Sequence, residues 1–121
     1  MLTITKPAAD RVDIVLDGKI DADIMRKALD DLIEKSEGMT GGKMLYRIAN
    51  FELPTLGAIG VEFSRLPKLF RLLGAFDKCA VLTDSDWLRR AAEMEGALFP
   101  GIEIKSFGLD GQEVAEAWLA L

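Results

Sequence analysis

The chain has 121 residues, half of them hydrophobic and 29% charged, which excludes a disordered polypeptide and fits one domain spanning residues 1–121. Fifteen Lys and Arg against 20 Asp and Glu leave a net charge of −5, a balance that repels phosphate backbones and argues against nucleic acid as a partner. Histidine is absent and Cys79 is the single cysteine, so the usual residues of triads, zinc centres and internal disulfides are missing.

Neither a basic start followed by an apolar core nor an apolar run of roughly 18 residues is present, which points to the cytosol and against a membrane span. Residues 2–5 and 12–16 read as two extended segments joined as a hairpin, with Pro7 and Asp10 in the loop between them. Gly18 ends the second strand. Asp21 is placed to cap a helix running to about Lys35 with Ile24, Ala28, Leu29, Leu32 and Ile33 on one face, and Ile20 with Met25 has the spacing of a hydrophobic staple.

The apolar segments 43–48 and 78–82 read as strands buried on both faces. Between them residues 56–73 have helical apolar spacing, which Pro67 should kink or divide. Asp84 or Ser85 caps a further helix to about Glu95, a last strand follows over 102–107, and Asp110 with Glu113 has the spacing of a capping box. That final helix should bury Val114, Ala117, Trp118 and Leu121. The order ββαβαβαβα makes an α/β domain with its first strands antiparallel and its helices packed through right-handed crossovers.

The chemistry left open is narrow. Without histidine, Ser64 and Cys79 have no ordinary base, and Cys79 in an apolar strand reads as a small buried hydrophobe. The carboxylate pairs Asp21/Asp23, Asp30/Asp31 and Asp84/Asp86 could meet a hard cation, but two of them fall at helix starts, where acids offset the helix dipole. Asp84 and Asp86 also follow a strand of an expected parallel sheet, where open sheets bind ligands. Residues 40–43, Thr-Gly-Gly-Lys, precede a strand where a phosphate loop would follow one, so they read as a turn. No metal or cofactor is expected, and no enzymatic activity.

One local anomaly stands out. Residues 63–76 carry Arg65, Lys68 and Arg71 and no acid, among Phe63, Leu66, Leu69, Phe70, Leu72, Leu73 and Phe76, more apolar groups than one core-facing stripe consumes. The segment fits a kinked core helix with solubilising cations, a site for an amphiphilic anion or anionic membrane, or a protein interface.

Gly18-Lys19-Ile20, Thr55-Leu56-Gly57-Ala58, Trp87, Phe99-Pro100-Gly101 and Ala117-Trp118-Leu119, in this order, resemble the SpoIIAA-like family of the STAS type, whose fold is similar to CRAL-TRIO lipid-transfer domains. The resemblance covers nearly the whole chain. It implies a mixed sheet of four or five strands with helices mainly on one face, and binding in place of catalysis. Anti-sigma antagonists of this type carry a phosphorylated serine in an Asp-Ser-Ser-Gly string. The matching residues here are Pro54, Thr55, Leu56 and Gly57, so the acceptor position holds no hydroxyl, and Thr55 is a candidate switch or an N-cap.

Together these features lead to a cytosolic domain binding a hydrophobic or amphiphilic small molecule such as a lipid or fatty acid. Phe63, Leu66, Leu69, Phe70 and Leu73 would meet its tail, and Arg65, Lys68 or Arg71 its head group. The alternative is a regulatory protein-interaction module using the same surface. Peripheral membrane contact and homo-oligomerisation stay open.

Overall fold

A computed structural model describes residues 1–51, 57, 60, 64, 74–98 and 101–121. Five strands form one sheet in the order of the chain: β1 (Leu2–Ala8), β2 (Arg11–Asp17), β3 (Gly42–Ala49), β4 (Phe76–Leu82) and β5 (Glu103–Phe107). β1 is antiparallel to β2, and the remaining pairs are parallel. The helices among the described residues are α1 (Ala22–Ser36), α2 (Asp86–Leu98) and α3 (Gln112–Leu119); Gly57, Gly60 and Ser64 are also helical.

A sheet whose strands follow one another without reversal places successive right-handed crossovers on the same face. Accordingly α1, between β2 and β3, and α2, between β4 and β5, both pack against the cluster built on Val12, Ile14, Leu16, Cys79 and Val81. α3 follows the last strand and lies on the opposite face, against Leu45, Ala80, Leu82 and Phe107. From Cys79 to Leu82 the period-two alternation of β4 divides its side chains between the two clusters, as a strand buried on both sides requires, while Phe76, beyond the register shift at Gly42, joins the α1 side. The sheet is therefore mixed and five-stranded, with two of the three described helices on one face.

Local signals act where the sequence places them. Asp21 is the N-cap of α1, its Oδ1 accepting the Ile24 N–H at 2.9 Å. Ile20 and Met25 on either side of that cap are both buried in one core cluster. Gly18, at φ 84°, turns the chain out of β2. Thr40 and Gly41 bend the chain into β3, which begins at Gly42: Gly41 sits at φ 61° and the Lys43 ammonium returns to the Gly41 carbonyl at 3.2 Å. Gly42 has no room for a side chain, since a Cβ there would meet Met39 Sδ at 2.5 Å and the Ala75 carbonyl oxygen at 2.7 Å.

Three expectations need correction, and of the two expected caps of α2 one is chosen. Pro7 lies inside β1, beside a register shift between Thr5 and Ala8; the strand is at the sheet edge, where a residue without an N–H is tolerated. Asp84 does not cap α2. Its Oδ1 accepts the Leu109 N–H at 3.1 Å and ties the loop after β4 to the loop after β5, while the first helical bond of α2 runs from the Arg89 N–H to the Ser85 carbonyl, so Ser85, the other expected cap, holds that position. Asp110 and Glu113 form no capping box: the N-cap of α3 is Gly111, with no side-chain bond. α3 is also rotated from the expected face, burying Ala115 and Leu119 with Trp118 half-buried, while Val114 and Leu121 are 64% and 86% exposed. The rotation has a polar cause. Arg11 draws Glu116 down to β2, and Lys78 holds the helix end through the Trp118 and Leu121 carbonyls.

Candidate functional site

The residues singled out for ligand contact, Phe63, Arg65, Leu66, Lys68, Leu69, Phe70, Arg71 and Leu73, and the candidate switch Thr55, lie outside the described residues. Concave features among the described residues sit elsewhere, and two of them lie on opposite sides of the sheet.

The first is a cavity of about 330 Å³ between α1 and the β1–β3 part of the sheet. β1 supplies Leu2 and Ile4, β2 supplies Ile14 and Leu16, and α1 supplies Met25, Ala28, Leu29 and Leu32; Ile20, Tyr46 and Phe51 complete the wall. Strand alternation aims Ile14 and Leu16 to this side, and the i, i+3, i+4, i+7 spacing of Met25, Ala28, Leu29 and Leu32 brings one stripe of α1 over them. The space is partly open to solvent, so it is a surface-connected pocket and not a closed packing void. It falls at the lower end of the range of small-molecule sites, about 300–1,000 Å³. Among the described wall residues only Tyr46 carries a hydroxyl or charged group.

No sequence signal marks this cavity, because its walls are ordinary core positions of four separate elements. The nearest hint is Tyr46, the chain's single tyrosine, in a mostly apolar strand stretch.

The second feature is a wider groove of about 530 Å³ at the start of β2 and the end of α3, lined by Asp10, Arg11, Asp13, Lys43, Glu116 and neighbouring apolar groups. Its central charges satisfy one another. Arg11 Nε donates to Asp13 Oδ1 at 2.5 Å, and its two terminal nitrogens donate to Glu116 at 3.0 and 2.5 Å, a bidentate pairing. The Arg11 hydrogen bonds hold the Glu116 carboxyl below its ordinary pKa, and Glu116, followed by Asp13, raises that of Arg11 against the opposing effect of burial. Two carboxylates already answer the guanidinium charge, which leaves it little attraction for a ligand anion. The groove is a structural clamp despite its size.

The other candidate groups are accounted for structurally. Asp21 caps α1, Asp23 pairs with Arg26 and Asp31 with Lys35, and Asp84 takes a backbone N–H. Among the described residues no three carboxylate or cysteine side chains converge as metal ligands would. Cys79 is buried, 7% exposed, within the α1-face core. Ser106, also buried, accepts from Arg89 Nε at 3.3 Å and donates to Glu93 at 2.9 Å, stitching α2 to β5. No helix among the described residues is long and apolar enough to cross a membrane.

Comparison with known proteins agrees with this architecture. An uncharacterised protein with a SpoIIAA-like fold from Shewanella loihica superposes with a TM-score of 0.71 at 17% identity, over 98% of this chain and 92% of that one. The anti-sigma factor antagonist SpoIIAA in its unphosphorylated form superposes with a TM-score of 0.53 at 12% identity, over 100% of both chains. The Bacillus cell fate determinant SpoIIAA in its phosphorylated form gives 0.54 at 15% identity, over 98% of this chain and 99% of that one. At such identities the likeness is one of fold. Among curated proteins no match is found. The SpoIIAA-like family matches residues 11–120, nearly the whole chain, and the protein belongs to that family.

Proposed function

We propose that this chain is a cytosolic, non-enzymatic domain that acts by docking another protein. The observation that carries this is the end-to-end sharing of its fold with SpoIIAA, a protein that antagonises an anti-sigma factor. The side-chain chemistry supports it: the chain has no histidine, and the described carboxylates named above serve as caps, ion pairs and loop ties. Leu56 stands at the position of the family phosphoacceptor and has no hydroxyl, so docking would not be switched by a phosphate at that side chain. The partner surface would draw on the apolar, cationic stretch containing Leu69 and Phe70.

Crosslinking of the tagged protein in lysate, followed by mass spectrometry of the captured species, tests this proposal. A partner retained by the wild type and lost on Leu69→Asp or Phe70→Asp, with the melting temperature unchanged, supports docking through that surface. Recovery of nothing above an untagged control overturns it.

A second function, binding of a hydrophobic or amphiphilic small molecule, is favoured by the apolar cavity under α1. Native mass spectrometry of gently purified protein should then show a bound organic molecule. A ligand-free spectrum together with no affinity for fatty acids in titration would sink it.

A further inference from the structure

We propose that the cavity between α1 and the β1–β3 sheet holds a compact, uncharged apolar molecule, such as a fused-ring compound or a short branched hydrocarbon, and excludes a charged head group. This rests on the small-molecule function above and narrows its ligand class.

Three observations carry it. The described wall contains no Lys, Arg, Asp or Glu, and a single hydroxyl-bearing side chain, Tyr46. An anion placed there would lose its water without gaining a counter-charge, which is among the costliest transfers a protein interior can impose. Lys27 and Asp31 line an adjoining surface groove that shares Leu2, Ile4 and Ala28 with the cavity, and neither belongs to the cavity wall itself. Shape agrees with chemistry. Two sides are strands in fixed register, with Leu2 opposite Leu16 and Ile4 opposite Ile14, and the roof is a helix whose first turn is capped by Asp21. Such a site is preformed and bounded in volume, which suits a compact guest better than a long chain. Met25, unbranched and polarizable, can adjust to the guest's outline.

A matched pair of fluorescent probes tests the charge rule: neutral phenylnaphthylamine and its anionic relative anilinonaphthalene sulfonate. The wild-type chain should bind one neutral probe, and the sulfonate at least about tenfold more weakly, as expected for burying an unpaired charge. Ala28→Phe, which places a ring in the cavity from α1, should abolish binding of the neutral probe while the melting temperature stays level or rises. Leu29→Phe serves the same purpose should Ala28→Phe not fold.

Equal binding of the two probes overturns the charge rule. Undiminished neutral-probe binding by both filling variants overturns this location while leaving the small-molecule function standing. If neither probe binds and no molecule co-purifies, both fall. Absence of binding together with a sharp loss of stability in Ala28→Phe would mean that the space is already filled by the chain's own side chains, and this too overturns the proposal.

Discussion

On one side of the sheet, Val12, Ile14, Leu16, Cys79 and Val81 meet α1 and α2 in a broad aliphatic cluster. On the other, α3 has eight residues and covers only Leu45, Ala80, Leu82 and Phe107. The first side is held by area. The second buries far less and adds polar stitches: the bidentate Arg11–Glu116 pair, the Lys78 ammonium on two carbonyls and 5.3 Å above the Trp118 ring, and Arg47 on the Leu109 carbonyl at 3.0 Å. An eight-residue helix is too short to persist alone, so these few bonds decide where it lies. The larger core can hold a cavity because area lost in one place is made up elsewhere, whereas the α3 side has no such reserve.

The largest expected effects come from truncating each core. Phe76, 2% exposed on the α1 side, should cost about 3–5 kcal/mol on conversion to alanine, and Leu119→Ala under α3 should fall toward the lower end of about 2–5 kcal/mol, because a short terminal helix can settle into the gap. Urea unfolding measures both, and a larger loss for Leu119→Ala would reverse the ranking of the two sides.

Next comes Gly42→Ala. The added methyl collides with Met39 Sδ and the Ala75 backbone, and since only the first can move, a loss of about 1–3 kcal/mol is expected. A neutral result in thermal melts would mean that the β3–β4 approach yields more readily than the backbone contact allows.

Asp21→Ala removes the side-chain bond to the Ile24 N–H and should cost about 1 kcal/mol. It belongs to the α1 side, so amide exchange should quicken in the first turn of α1 and stay unchanged in α3.

Glu116→Gln is the smallest, about 1 kcal/mol or less because the carboxylate is 41% exposed and screened by solvent. Its signature is local and pH-dependent. The Arg11 contact lowers the Glu116 pKa in the folded chain, so its stabilisation is complete above the unfolded carboxylate pKa and disappears as the pH falls through the folded value. The stability gap between wild type and Glu116→Gln should therefore close on acidification below the ordinary carboxylate range near 4.5, and exchange should quicken in α3 alone at neutral pH. A gap that persists in acid would assign the effect to packing of the side chain instead of its charge.

Sequence reading located all five strands and the three described helices within a few residues, because those elements declare themselves locally. Alternation marks β2, buried apolar runs mark β3 and β4, and Asp21 and Gly18 act on neighbours only a few residues away. The misses share a cause. Asp84 and Ser85 were equal caps by spacing, and the choice fell to Ser85 while the Asp84 carboxylate went to the Leu109 N–H, 25 positions along the chain. Val114 and Leu121 satisfied a helical stripe as well as Ala115 and Leu119 did, and contacts with distant segments chose between them, among them the Arg11 guanidinium donating to Glu116 from 105 positions away. Family resemblance was legible from short strings in order, and the family match over residues 11–120 agrees with it.

Residue order and chemistry thus fixed the α/β class, the antiparallel start, the strand and helix succession and the lack of histidine-based chemistry, all of which depend on composition or on contacts along one segment. Which face α3 presents, what each loop carboxylate holds and where an apolar hollow opens were decided only when distant segments met. Those outcomes depend on small differences among competing contacts that no single stretch of chain contains.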